Sequence, residues 1–216
     1  MLRFSVSPLS SAVGSKGWVR SAAVGGVAAP VLFTILYLVL GSITPGYNAY
    51  SQTISELGQV GQPYAAFQDA NFVLTGVLTI GFVISLQASV ASSPSSRVGS
   101  ILLLAYPIAF VFVGTVIPLP SPLHVPVGSI SFFMTLVGVI VTSRPMRKDA
   151  SWHRIASFTS ATGVVSVVGF FVYGFLQSQS FAAASLGLAQ RLVLAPYFVW
   201  IEILAIKLVS TPRLRS

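Results

Sequence analysis

The 216-residue chain contains no cysteine. That excludes disulfides, thiolate zinc sites and cysteine-ligated iron–sulfur clusters within it, and a cysteine nucleophile with them. Histidine is nearly absent too, with two residues, so one chain cannot assemble a three-histidine zinc site. No haem site is expected either. Acidic residues number four, and charged residues make up 7% of the chain against about 25% in an ordinary soluble domain. A soluble fold of this size cannot cover its surface with so few charges. Disorder is excluded by the opposite feature, a hydrophobic content of 54%.

What is present is long apolar runs, with a mean hydropathy of +0.86. A helix needs about 20 apolar residues to cross the roughly 30 Å of a bilayer's hydrocarbon. Six stretches qualify, at residues 19–43, 70–90, 98–119, 123–142, 155–176 and 189–210. A membrane β-barrel would show short alternating segments instead. Backbone groups in lipid must be paired within the chain, so the runs predict helices. The expected fold is all-α, a six-helix integral membrane bundle over residues 19–210. It is flanked by a mobile basic tail at 1–18 and a basic tail at 211–216. The first run is longer than a signal peptide's about 7–15 apolar residues, so it is expected to stay as a membrane anchor.

Twelve Lys and Arg residues give a net charge of +8. They sit at predicted helix ends rather than on a soluble face, which argues against nucleic acid and for anionic lipid headgroups. Arg3, Lys16, Arg20, Arg97, Arg144, Arg147, Lys148, Arg154, Lys207, Arg213 and Arg215 fall on one side of the predicted topology, and Arg191 alone on the other. Positive residues mark the cytoplasmic side, so both termini are expected inside, as an even helix count requires. Trp18 and Trp152 fit the inner interface; Tyr47, Tyr50, Tyr64 and Tyr173 fit the outer one. Gly76, Gly81, Gly163, Gly169 and Gly174 are expected to let helices pack closely. A homo-oligomer is compatible with these features; nothing in them requires one.

The longest connection runs from Thr44 to Asp69 on the outer side. Connections this long are uncommon and often functional. Pro45 and Gly46 should end the first helix. Ser51 or Thr53 should cap a short helix that Gly58 stops, with Ile54 and Leu57 against the bundle. Between the third and fourth spans, prolines 118, 120, 122 and 126 make a stiff turn that holds His124.

The outer side thus gathers Glu56, Asp69, His124, Gln190 and Arg191. Asp149 instead lies in the basic inner loop, where Arg147 or Lys148 should pair with it. Three readings of the outer cluster stay open. It can be structural, with Glu56 or Asp69 paired to Arg191. It can be catalytic and act on lipid or headgroup substrates, with a carboxylate orienting His124 and Arg191 binding an oxyanion, or with Glu56, Asp69 and His124 holding a divalent metal. Ser51, Ser55 and Ser121 lie near but in no nucleophile motif. It can also bind or transport a polar or lipid ligand. Glu202 lies inside the last helix, eleven residues after Arg191. Three turns of helix put the two on one face, about 16 Å apart. An acid within a membrane span is a functional candidate by default. Lys207, Gln87 and Ser160 are its candidate structural partners.

The residues Pro45-Gly46-Tyr47 and Ile54-Ser55-Glu56-Leu57-Gly58 carry a resemblance to the domain-of-unknown-function 998 family of polytopic membrane proteins. Asn71, Thr75-Gly76, Pro118, His124, Gly187 and Arg191 extend it over nearly the whole chain. The resemblance implies a six-helix membrane domain of prokaryotes, and hence the plasma membrane. It implies no activity, cofactor or catalytic residue, but it adds weight to Glu56, His124 and Arg191.

The absence of native cysteine makes the topology directly testable. A Gln59→Cys variant should react with a membrane-impermeant maleimide in intact cells. A Ser151→Cys variant should react only after permeabilisation.

Overall fold

A computed structural model describes the backbone of residues 9–210 and the side chains of residues 17–210. The side chains of Arg3, Lys16, Arg213 and Arg215, and the tail at 211–216, lie outside the described residues. Six helices follow one another: α1 (Leu9–Ile43), α2 (Ala65–Ser89), α3 (Pro94–Val113), α4 (His124–Lys148), α5 (His153–Gln177) and α6 (Leu186–Ser210). Two 3₁₀ helices, Ile54–Gly58 and Ser180–Ser185, sit in the connections, and no strand occurs among the described residues. All six helices are long and apolar enough to cross a membrane, as the hydropathy runs predict. The protein is a multi-pass membrane protein.

Each helix packs against its neighbour in sequence, and α6 returns to α1, so the helices close into a ring. The connections sort to two ends. At one end, here the cap end, residues 44–64, 114–123 and 178–185 meet. At the opposite end the short turns after α2 and α4 meet. There Asp149 accepts from the Ala91 amide (3.0 Å) and the Ser151 amide (2.8 Å). The expected partners Arg147 and Lys148 make none of those bonds. The carboxylate ties two turns together instead, because bare backbone N–H groups beside a helix end are the nearer need. Trp152 donates from its indole to Ser89 O (3.0 Å), and Lys207 Nζ lies 5.1 Å from the centre of its ring. Arg20 donates to Val209 O at 2.6 Å, joining the start of the α1 span to the end of α6.

Several helix boundaries differ from the hydropathy runs for identifiable reasons. α2 begins at Ala65, because Gln68 and Asp69 are polar yet helical. α4 continues through Arg144 to Lys148, where basic residues favour a helix C-terminus. α3 stops at Val113, six residues early, since Pro118 and Pro120 disfavour helix in what precedes them. Its start is well specified. Pro94 occupies the first turn, and Ser93 and Ser96 exchange hydrogen bonds of 2.9 and 3.1 Å across it.

The core is aromatic towards the cap end. Phe33 packs on Phe110 (5.4 Å between ring centres), Phe72 (5.8 Å) and Phe198 (5.4 Å), and Tyr106 joins Phe110 to Phe132. Trp200, Leu136, Ile201 and Leu204 fill the layers below. Polar side chains connect neighbours where lipid offers no competing partner. The Thr135 hydroxyl donates to Leu102 O (3.1 Å) and accepts from the Tyr106 amide (3.0 Å), inserting itself into the α3 ladder one residue before Pro107. Trp200 donates to Thr159 Oγ1 at 3.1 Å. Among the glycines expected to aid packing, Gly76 and Gly163 lie tightly against Pro107 and Ile140, whereas Gly174 has open space where a side chain would stand.

Candidate functional site

Arg191, one turn into α6, reaches the long connection at the cap end. Its Nη1 donates to Gln52 O (3.1 Å) and Gly187 O (2.7 Å), and its Nη2 donates to the Tyr47 hydroxyl (2.7 Å). The guanidinium carbon also lies 5.3 Å from the centre of the Tyr37 ring. Tyr47 in turn donates to Gln52 O (3.2 Å) and Thr53 O (2.9 Å). Burial raises the Tyr47 phenol above its usual pKa against the opposing pull of Arg191, so it stays neutral. The backbone joins the same seam, with Leu188 N donating to Tyr50 O (2.9 Å) and Gly187 N to Ser51 O (3.3 Å). Gly187 has to be glycine there, because a Cβ would stand 2.6 Å from Ala49 O and nearer still to Gln52 O. Gly46, at φ 74°, makes the turn out of α1 that brings the segment back.

The segment that Arg191 holds is the Ile54–Gly58 helix and the turn before it. Glu56 folds back on this turn. Its Oε1 accepts from the Thr53 amide and hydroxyl (2.9 Å each), and its Oε2 accepts from Gln52 Nε2 (3.1 Å). Thr53 is therefore the N-cap, one of the two expected, and Glu56 supplies the return half of a capping box. Gln190 Oε1 accepts from the Ile54 amide at 2.7 Å. Ile54 and Leu57 are each 2% exposed and face the bundle, as the sequence predicts.

The candidate residues share one end of the molecule but do not converge. Arg191 hydrogen-bonds to carbonyls and a phenol, and neither Glu56 nor Asp69 is among its partners. His124 is buried and bonds through Nδ1 to Ile117 O (2.9 Å). Because a carbonyl only accepts, Nδ1 carries the proton and Nε2 is the bare acceptor. Asp69 lies in a shallow recess with Val73, Val77 and Gly114, with Oδ1 beside Gly58 at the end of the cap helix. No group of three His, Asp or Glu side chains placed to hold a metal occurs among the described residues. The carboxylate–histidine pair and the metal set considered from the sequence thus have no common site in this arrangement.

Two cavities lie beside the seam. The first is a chamber of about 140 Å³ under the Thr53–Ser55 segment. Phe33, Phe72, Tyr106, Phe110, Phe132 and Phe170 supply ring walls, while His124, Ser129, Tyr173, Gln177 and Gln190 supply polar groups. No charged side chain lines it. The second is a groove of about 390 Å³ between α1 and α6 that Arg191 and Glu202 both line. The eleven-residue spacing had placed them on one face.

Three polar side chains on the inner face of α2, of which the resemblance takes in Asn71 and Thr75 but not Gln68, are given no role by the sequence. Gln68 is 0% exposed with neither amide atom bonded, and Asn71 Oδ1 and Thr75 Oγ1 are likewise unpaired. Asn71 Nδ2 does donate to Phe33 O at 3.2 Å. Their spacing of three and four residues was the available signal.

The seam predicts a directional requirement at position 191. Arg191→Lys should destabilise the protein nearly as much as Arg191→Ala, by about 2–4 kcal/mol, because an ammonium cannot reproduce three bonds from a planar fork. Thermal unfolding in detergent, with proteolysis of residues 44–64 as a local readout, measures this.

The family described as "Protein of unknown function (DUF998)" matches residues 27–207, which takes in α2 to α5, most of the spans of α1 and α6, and the cap. No curated protein and no solved structure matches the chain. The family match covers most of the chain, including the Ile54–Gly58 segment and Arg191 that the structure joins, and the chain therefore belongs to the DUF998 family.

Proposed function

We propose that this protein binds a small neutral amphiphile in the chamber under its cap, at the outer leaflet of a prokaryotic plasma membrane, with both termini in the cytoplasm. The orientation rests on the basic residues, and anionic headgroups on the inner side are their partners. Arg20, Arg97, Arg144, Arg147, Lys148, Arg154 and Lys207 lie at the end away from the cap.

The observation that carries the binding reading is the lining of the chamber. Six rings surround a space with no charged side chain, and hydrogen-bonding groups from α4, α5 and α6 border it. An apolar cavity with a few placed polar groups is the usual form of a small-molecule site. The absence of lining charge selects against carboxylates and ammonium groups. The bare His124 Nε2 selects for a hydroxyl or another donor on the ligand. The volume of about 140 Å³ keeps the ligand small.

Acid–base catalysis is the weaker alternative, since Glu56 is committed to its own N-cap and His124 to Ile117 O. Transport is weaker as well, because none of the six helices is split into two half-helices among the described residues.

Filling the chamber tests the reading. A Cβ on Gly128, which lines the chamber, would meet nothing within 4 Å, so Gly128→Leu should fold and occupy the space. Gly174→Leu, on an exposed face of α5, is the control. Medium-chain alcohols should raise the melting temperature of the native protein and of Gly174→Leu more than the matching carboxylates and amines do, and should leave Gly128→Leu unshifted. Equal shifts in all three proteins would refute the chamber as the site.

A further inference from the structure

The second cavity faces the other way. Chamber and groove share Ile54 and Leu194 as a wall, but the groove opens sideways between α1 and α6, where Val31 (42%), Ile35 (52%) and Val199 (47%) are exposed. Both of its ends are closed. At the cap end Arg191 lies over Tyr37. At the far end the helices touch, since a Cβ on Gly26 would stand 2.8 Å from Ala205 Cβ. Glu202, one turn from Ala205, therefore sits at the foot of a recess that a molecule dissolved in the bilayer can enter.

Glu202 is an unusual residue for such a place. It accepts no hydrogen bond among the described residues and is only partly buried. Arg191 is about three helical turns away, too far for an ion pair. Lys207 is five residues on, about 140° round the helix, with its ammonium over Trp152. Gln87, another candidate partner, is not among the residues that line the groove; its Oε1 accepts from Ser100. Pro30 lines the same recess and has no N–H, so the Gly26 carbonyl one turn below it lacks its helical donor. Glu202 is the one acid in the groove's lining, and Phe198 offers a ring in its wall. A charge held at this depth is costly without a counter-charge.

We propose that the α1–α6 groove binds a lipophilic organic cation from the bilayer, with Glu202 as its counter-charge and Phe198 as an aromatic wall. The volume of about 390 Å³ lies within the range for drug-sized ligands. Aromatic faces attract organic cations more strongly where water is excluded. This site is independent of the chamber, and the two readings fail separately.

The test uses tetraphenylphosphonium with the full-length protein in nanodiscs of neutral lipid, and the isosteric anion tetraphenylborate as the control. The native protein should bind the cation saturably, one per chain. Glu202→Gln should weaken binding about tenfold or more while melting like the native protein, because no hydrogen bond is lost. Gly128→Leu should bind as the native protein does. Ala195→Trp, which fills the open groove from an exposed position, should abolish binding and serves in place of Glu202→Gln if that variant fails to fold. Absence of saturable cation binding, equal affinity in native and Glu202→Gln proteins, unchanged binding in Ala195→Trp, or tetraphenylborate binding as tight as the cation's would each overturn the proposal.

Discussion

Where the longest connection of the chain meets its last helix, one guanidinium fastens two backbone carbonyls and a phenol together. Arg191 bonds Gln52 O, Gly187 O and the Tyr47 hydroxyl, and Tyr47 passes the connection on to Thr53. Bonds from a charged donor contribute about 1.5–3 kcal/mol each where water competes poorly. The rest of the cap follows from that anchorage. Gln190, the residue before, bonds the Ile54 amide, and Ile54 and Leu57 can then close over the aromatic core. The chamber exists because a rigid strap crosses the mouth of a ring of helices. The groove exists because the same Arg191, stacked on Tyr37, bridges α6 to α1 and leaves the space beneath open.

Both cavities therefore depend on a residue that belongs to neither function. In a membrane domain a charge is expensive, and finding Arg191 near the cap end of a span invites a catalytic or binding role. Its geometry is that of a fastener. Its Nε is the one buried guanidinium atom left without a partner. The same holds for Glu56, whose carboxylate is satisfied within four residues of its own position. Two acids accept no hydrogen bond among the described residues, Asp69 in its shallow recess and Glu202 in the groove, and the histidine with an open acceptor is His124 on the opposite side of the chamber wall.

The fold was legible because bilayer physics writes it into hydropathy. Runs of about 20 apolar residues, and prolines in the turns, specify six helices. The ends were less legible, since a helix in protein surroundings continues through Gln68, Asp69 and Arg147 without regard to hydropathy. The short capped helix was readable from Thr53 and Gly58, and the shared face of Arg191 and Glu202 from their spacing. Convergence of the cluster was not readable. Sequence places a residue at a depth in the membrane, but its bearing around a six-membered ring depends on how neighbouring helices rotate. Asp69 and Arg191 thus line different recesses. Tyr37 and Tyr47, the partners Arg191 actually has, were hidden because tyrosines near an interface serve as anchors in most membrane proteins.

Hydrogen exchange across residues 48–56 addresses the strap most directly. The amides of Asn48, Tyr50, Gln52, Thr53, Ile54 and Glu56 all have acceptors, three of them on side chains of the same segment and one on Gln190. A connection of this kind should exchange as slowly as the ends of the helices it joins, and far more slowly than a solvated loop. Exchange of residues 48–56 at the rate of an unstructured peptide would contradict the account at its base.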